Sequence, residues 1–159
     1  MMQLIFLLFI CQISSAETGK VLSFETKLTG YYPENSRMEG GFKDRYGHDL
    51  KTLQDFLEGK ASYVSVAMDY KGKMNKYMKT YFCIPALDKS FSKAMSGKIK
   101  KKYHGHILFK AVDTGSAFYF KKWKKMDICV KDKKASYDER VNTKASILDC
   151  NRLAKSILK

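Results

Sequence analysis

The sequence predicts a small, mainly β protein: a barrel of short strands with one helical insert. Short runs rich in β-branched and aromatic residues recur along the chain, and only one segment has clear helical spacing of its apolar residues. Strands are predicted at residues 25–32, 62–68, 80–85, 106–112 and 126–130. Residues 71–79 and 88–102 are expected to be polar connections. The tail, residues 135–159, is expected to lie against the barrel as a helix, or as a strand and a helix.

The predicted helix covers residues 49–59. Leu50, Leu53 and Leu57 share one face at helical spacing, Asp49 is a candidate N-cap, and Gly59 is a candidate C-cap. The apolar face predicts that this helix packs on the barrel.

Three aspartates, Asp69, Asp113 and Asp127, each stand at or near the end of an apolar, β-rich run. Because side chains alternate along a strand, each acid is expected to lie across its strand from a core face. Carboxylates from separate strands can converge on a cleft, where partial burial suits them to general acid and base chemistry. The alternative is that they only end strands in turns, since Asp is a good turn former.

The sequences around these acids resemble a known family. VAMD at residues 66–69, VDTGSAF at 112–118 and MDIC at 126–129 resemble the three-aspartate domain, a double-psi β-barrel of secreted, cell-wall-active proteins. LTGYYP at residues 28–33 is similar to the opening of the same barrel in membrane-bound lytic transglycosylase A. The resemblance covers residues 26–131 and implies a mainly β fold: a six-stranded double-psi β-barrel with a short helical insert and a C-terminal extension.

The resemblance also implies an active site. Asp127 matches the catalytic acid/base of the family, and Asp113 and Asp69 match its acidic neighbours. In the transglycosylases one aspartic acid protonates the glycosidic oxygen, then as a carboxylate removes a proton from the sugar's own hydroxyl, which closes an anhydro ring. The residues expected to bind substrate are Tyr31, Tyr32, Thr114 and Trp123.

Three functions follow as hypotheses. The first is a secreted protein that binds a cell-wall polysaccharide and cleaves it as a lytic transglycosylase does. The second is a non-catalytic carbohydrate-binding module like the expansin and barwin barrels, and the third is a basic secreted effector that binds polyanions. The three acids favour chemistry, whereas Ser116, in place of the family's second glycine, favours binding.

Residues 1–16 predict a secretory signal peptide. The segment lacks charged side chains, has an apolar run from Leu4 to Cys11, and ends in the small residues Ser14, Ser15 and Ala16. Cleavage would leave residues 17–159 as one secreted domain, extracellular, or periplasmic if the source is bacterial. We expect no transmembrane segment, because no later stretch approaches the roughly 20 apolar residues that a membrane helix needs.

After signal removal three cysteines remain: Cys83, Cys129 and Cys150. One disulfide and one free thiol is the simplest arrangement in an oxidising compartment, and three buried thiols are the alternative. The sequence does not choose the pair, although Cys150 lies in a tail that could reach Cys129.

The chain has a formal net charge of +14. Residues 93–134 hold 13 lysines against three aspartates, with clusters at residues 98–102 and 121–125. The positive electrostatic field of these lysines would attract polyanions, among them acidic wall polymers, sulfated glycans, anionic lipids and nucleic acids. The alternative is that the lysines only form a solvated surface. The resemblance favours a polysaccharide partner, with anionic polymers held by the lysine-rich loops. We expect a monomer, with no nucleic-acid partner.

No cofactor or metal is expected from the sequence. His104 and His106 supply two imidazoles at strand spacing, but no third ligand follows at a readable spacing.

Overall fold

The computed structural model describes residues 20–34 and 41–158. The predicted signal peptide, residues 1–16, lies outside the described residues. Six strands form one closed barrel, and the helices are short, which confirms the predicted mainly β barrel. The strands are β1 (Val21–Tyr31), β2 (Val64–Met68), β3 (Tyr81–Cys83), β4 (Phe109–Asp113), β5 (Lys125–Cys129) and β6 (Lys144–Asp149).

The strands follow the order β1-β5-β2-β4-β3-β6 around the barrel. Strands β1 and β5 are parallel, as are β2 and β4, and the other neighbours are antiparallel. The interior is filled by alternate apolar residues, including Leu28, Val64, Val66, Met68, Met126 and Ile128. Because the side-chain period is two, the residues between them face away from this core.

Residues 20–34 and 41–158 contain five α-helices and three 3₁₀ helices, all of which lie between strands except the last α-helix, which follows β6. The α-helices are α1 (Leu53–Leu57), α2 (Pro85–Phe91), α3 (Gly97–Lys102), α4 (Lys133–Ser136) and α5 (Asn151–Ile157). The 3₁₀ helices are Gly72–Tyr77, Ser116–Phe118 and Lys122–Lys124. None of the helices in the described ranges is long and apolar enough to cross a membrane.

Helix α1 packs on the barrel as predicted, but it begins later. Its N-cap is Thr52, not Asp49, because Thr52 and Asp55 form a reciprocal capping box. The N–H of Asp55 donates to Thr52 Oγ1, and that of Thr52 to Asp55 Oδ2. The helix ends at Leu57, and Gly59 then adopts a left-handed conformation with φ of +79°.

The prediction that residues 88–102 are only a polar connection was wrong. Helix α2 begins with Pro85 in its first turn and buries Leu87 and Phe91, which are four residues apart. Helix α3 is capped by the Ser96 hydroxyl and buries only Ile99. Each helix is short and buries too few apolar residues to show a helical periodicity in the sequence.

The tail forms β6 and then α5, the strand-plus-helix alternative of the prediction. A disulfide joins Cys83 at the end of β3 to Cys150, which follows β6, and Cys129 is buried and outside the disulfide. The suggested link between Cys150 and Cys129 was therefore wrong. The pairing of strands β3 and β6 places Cys83 opposite Leu148, so the tail lies beside β3.

Gly30 is the position in the barrel where a side chain is least tolerable. A Cβ built there would lie 2.8 Å from Cα of Ser136, and backbone cannot move aside as a flexible side chain can. We expect Gly30→Ala to lower the free energy of unfolding by about 1–3 kcal/mol, measured by denaturant titration. Gly97→Ala is the control, because its Cβ would meet no atom within 4 Å. Equal stability of the two variants would contradict this packing.

Candidate functional site

Asp113 and Asp127 lie on either side of Ala67, on the two strands that flank β2. Ala67 in β2 pairs with Asp127 in β5 and with Asp113 in β4. Two strand spacings separate the Cα atoms of the two acids by about 10 Å. We call Asp113 and Asp127 the acid pair.

A bulge brings Asp113 to this face. Val66 pairs with Ala111, but the next residue, Ala67, pairs with Asp113, so β4 carries one extra residue, Val112. Phe109 and Ala111 belong to the core, and strict alternation would have turned Asp113 inward with them. The extra residue reverses its direction, a common use of bulges near functional sites.

Asp127 is held by two groups that favour its ionised form. The Thr29 hydroxyl, on the paired residue of β1, donates a hydrogen bond to Asp127 Oδ1. The Nζ atom of Lys125 lies 3.9 Å from the same oxygen. A hydroxyl donor and a nearby ammonium both stabilise a carboxylate, and 18% of the Asp127 side chain remains exposed to solvent.

Asp113 has different surroundings. Burial raises the pKa of its carboxyl group, and this exceeds the opposing effect of the Thr114 N–H, which donates to Asp113 Oδ1 at 2.9 Å. The Tyr31 hydroxyl also lowers the Asp113 pKa by donating a hydrogen bond to the carboxyl group. The charge of Asp44 raises this pKa and that of Arg45 lowers it. The acid pair therefore combines a carboxyl group whose burial raises its pKa, Asp113, with one that accepts a hydroxyl hydrogen bond beside an ammonium group, Asp127.

Tyr31 is buried beside the acid pair. Its ring belongs to a small apolar cluster on the face opposite the barrel core, with Leu50, Ala67, Phe118 and Cys129. Burial raises the pKa of the Tyr31 hydroxyl, and Cys129 and Asp113 raise it further. Its ring is 8% exposed, so what Tyr31 offers this site is its hydroxyl.

Two buried hydroxyl oxygens near Asp113 have no partner with hydrogen-bond geometry among the described residues. They are Tyr31 Oη and Thr114 Oγ1. Cys129 and Asp113 lie close enough to the Tyr31 hydroxyl to hydrogen-bond with it and so raise its pKa. Buried polar atoms are nearly always paired, so Thr114 Oγ1 is the one of these two hydroxyl oxygens that is available to hydrogen-bond a ligand.

Asp69 is buried and engages backbone groups. Its Oδ1 accepts from the N–H of Lys71 and its Oδ2 from the N–H of Lys122, each at 2.9 Å. Lys122 belongs to residues 116–124, which we call the 116–124 loop. Asp69 thus fixes this loop to the end of β2, while Phe118 of the loop packs over Ala67.

Trp123 and Tyr32 lie against the main core. The Trp123 ring meets Tyr77 at a centroid distance of 4.5 Å and Phe82 at 5.8 Å. Trp123 also lines a surface cleft of about 420 Å³ that contains Asp69. Tyr32 is half-buried and packs on the same core.

Two parts of this region were not expected from the sequence. Asp44 and Arg45 act on the Asp113 carboxyl group, so the loop around residues 41–50 lies beside Asp113. The cleft is lined by residues 71–77 as well as by the 116–124 loop. Lys71, Lys73 and Lys76 alternate there with Met74 and Tyr77, a signal that the prediction of a polar connection ignored.

Comparison with protein-family models and with curated proteins finds no match to this chain.

Proposed function

We propose that this protein binds a polysaccharide across the face that carries the acid pair and cleaves a glycosidic bond by acid–base chemistry. The observation that carries the proposal is the contrast between the surroundings of Asp113 and Asp127, on either side of Ala67. Two titratable groups whose environments favour opposite protonation states are a recognised basis for assigning acid and base.

Asp113 is the proton donor in this proposal. Burial raises its pKa and so favours its neutral form, which carries the proton that a departing glycosidic oxygen needs. Asp127 is the base, held as a carboxylate by Thr29 and Lys125. It removes a proton from the attacking hydroxyl, either the sugar's own or that of water.

The electron balance is that of an ordinary glycosyl transfer. The attacking oxygen forms a bond to the anomeric carbon as the bond to the leaving oxygen breaks. The leaving oxygen takes the Asp113 proton, and Asp127 takes the proton of the attacking hydroxyl.

The roles of acid and base are thus divided between Asp113 and Asp127, whereas the family resemblance gives both roles to Asp127 alone. Asp69, with both oxygens bound to backbone N–H groups, positions the 116–124 loop.

The pH dependence of turnover tests this assignment. Turnover should fall as pH rises through the raised pKa of Asp113, because the acid form is then lost. Asp113→Asn should abolish that limb of the profile and reduce turnover, while Asp49→Asn, an exposed carboxylate paired with Lys43, should change neither. A wild-type profile that stays flat across the acidic range would contradict the role of Asp113.

A binding-only function is the second candidate, and Phe118 favours it. Phe118 and Leu50 belong to the same buried cluster as Ala67, the residue that pairs with both acids, and Ala67 is only 4% exposed. In this case the glycan would be held without cleavage, with Trp123 in the neighbouring cleft as a sugar platform. Retention on an insoluble glycan without turnover, weakened by Trp123→Ala in a variant that still folds, would support this function instead.

The disulfide supports export to an oxidising compartment, in line with the predicted signal peptide. Intact-mass analysis of secreted protein, expected to begin near Glu17, tests this part of the proposal.

A further inference from the structure

The cleft next to Asp69 has an apolar wall and a basic rim. The wall consists of Met74, Tyr77, Phe120 and Trp123, and the rim of Lys71, Lys73, Lys76 and Lys122. We call these eight residues the lysine cleft. Asp69 is the acid that lines it, and both Asp69 oxygens already accept backbone N–H groups. The side chains around this cleft therefore present positive charge beside an apolar surface.

Phe120 stands at the outer edge of this cleft. It is 81% exposed, the highest value among the exposed large apolar residues of the described chain. Its neighbour Tyr119 is also exposed, and Lys121 and Lys122 follow directly. Together with the apolar wall of the cleft, Phe120 forms an exposed apolar surface rimmed by lysines, which indicates an interaction surface.

The 116–124 loop holds Phe120 in this position through three anchors. Phe118 packs in the small apolar cluster, Lys122 N–H donates to Asp69, and the Tyr119 ring lies edge-on to Tyr70 at a centroid distance of 5.9 Å. Lys71 Nζ lies 4.6 Å from the Tyr119 ring centre and reinforces this contact.

The same loop has an unfavourable backbone. Phe120 has φ of +62° and Lys122 has φ of +53°, values that side chains other than glycine rarely adopt. Strain of this kind persists only where surrounding contacts impose it, and it concentrates at functional segments. Here the anchors oblige the chain to present an aromatic residue outward instead of folding it into the core.

We propose that the lysine cleft and Phe120 dock the protein on an anionic lipid bilayer. The lysines bind headgroup phosphates, and Phe120 enters the boundary between headgroups and acyl chains, where aromatic residues are favoured. Charge complementarity and the exposed apolar tip together select this partner: a soluble polyanion would use the lysines but would leave Phe120 in water. This docking is independent of glycan cleavage at the acid pair.

Co-sedimentation with vesicles tests the proposal. The wild type should bind vesicles of phosphatidylcholine and phosphatidylglycerol, and bind vesicles of phosphatidylcholine alone at least about tenfold more weakly. Phe120→Ser should weaken binding to the anionic vesicles by about tenfold or more, because the apolar insertion is lost. Tyr137→Ser is the matched control: Tyr137 is 70% exposed beside Lys134, but Asp138 lines the same surface, and binding should be unchanged.

A charge-matched pair of variants tests the lysines. We expect the combined replacement of Lys73, Lys76 and Lys122 by Gln to weaken binding by about 100-fold, because each lysine lost at the membrane surface weakens it roughly fivefold. The same change at Lys98, Lys100 and Lys101 of α3 removes equal charge and should weaken binding far less. Unchanged thermal unfolding of each variant confirms that it is folded.

Three results would overturn the proposal. The first is no binding to anionic vesicles, and the second is equal binding by Phe120→Ser and the wild type. The third is equal loss in the two triple-lysine variants, which would reduce the interaction to general charge attraction. Tight retention on a sulfated glycan that depends on the cleft lysines but not on Phe120, without vesicle binding, would assign the cleft to a soluble polyanion.

Discussion

Replacing Asp127 with Asn is expected to lower glycan turnover by roughly 10²–10⁴-fold, the usual contribution of a positioned acid or base. Asn preserves the size of the side chain and can still accept the Thr29 hydrogen bond, but it cannot take up a proton. Turnover should be measured with saturating glycan, so that a change in kcat is separated from a change in binding.

Glycan retention is the control for this variant. Asp127→Asn should bind the glycan about as well as the wild type, because the substitution removes a charge at one point of an extended surface. Thr29→Val offers a graded comparison: it removes the hydroxyl donor and leaves the carboxylate, so its loss of turnover should be smaller. If Asp127→Asn turns over glycan at the wild-type rate, Asp127 is not the base.

Removal of the Cys83–Cys150 disulfide has the second largest expected effect. The bridge spans 67 residues of sequence and ties the end of β3 to the end of β6, two neighbours in the closed barrel. A loop of this length corresponds to about 4 kcal/mol of stabilisation through the entropy of the unfolded chain. Changing both cysteines to Ala should lower the free energy of unfolding by this amount in denaturant titration.

Reduction of the wild-type protein provides an independent check. Treatment with a reductant should lower its stability towards that of the double variant and should leave the variant itself unchanged. Cys129 is not part of the disulfide, so Cys129→Ala should retain the sensitivity of the protein to reductant. A double variant within about 1 kcal/mol of the wild type would contradict a structural role for the bridge.

Much of the barrel could be predicted from the sequence because its strands combine two local signals. Val64, Val66 and Met68 show both: they are apolar at alternate positions, and a turn follows them. The helices α2 and α3 could not be predicted in the same way, since each is short and buries only one or two residues. Tertiary packing, not local pattern, decides their structure.

The residues of the site show the same difference between local pattern and tertiary packing. That Asp127 faces away from the core follows from simple alternation along β5, and the structure places it so, beside Thr29 of β1. Asp113 could not be placed by alternation, because the bulge at Val112 depends on how β4 pairs with β2. The anchoring role of Asp69 depends on the N–H of Lys122, which is 53 residues away in sequence. Such contacts leave no local signal.

Mass analysis of the products of a purified polysaccharide is the most direct test of cleavage at the acid pair. Peptidoglycan is the first substrate to use, at mildly acidic pH, with Asp127→Asn as the matched control. We expect the wild type to release shortened glycans, either with anhydro ends, lighter by one water, or with hydrolysed ends. The Asp127→Asn sample should contain almost none. Intact glycan after prolonged incubation with folded wild type, on peptidoglycan and on acidic wall polymers alike, would contradict the proposed cleavage.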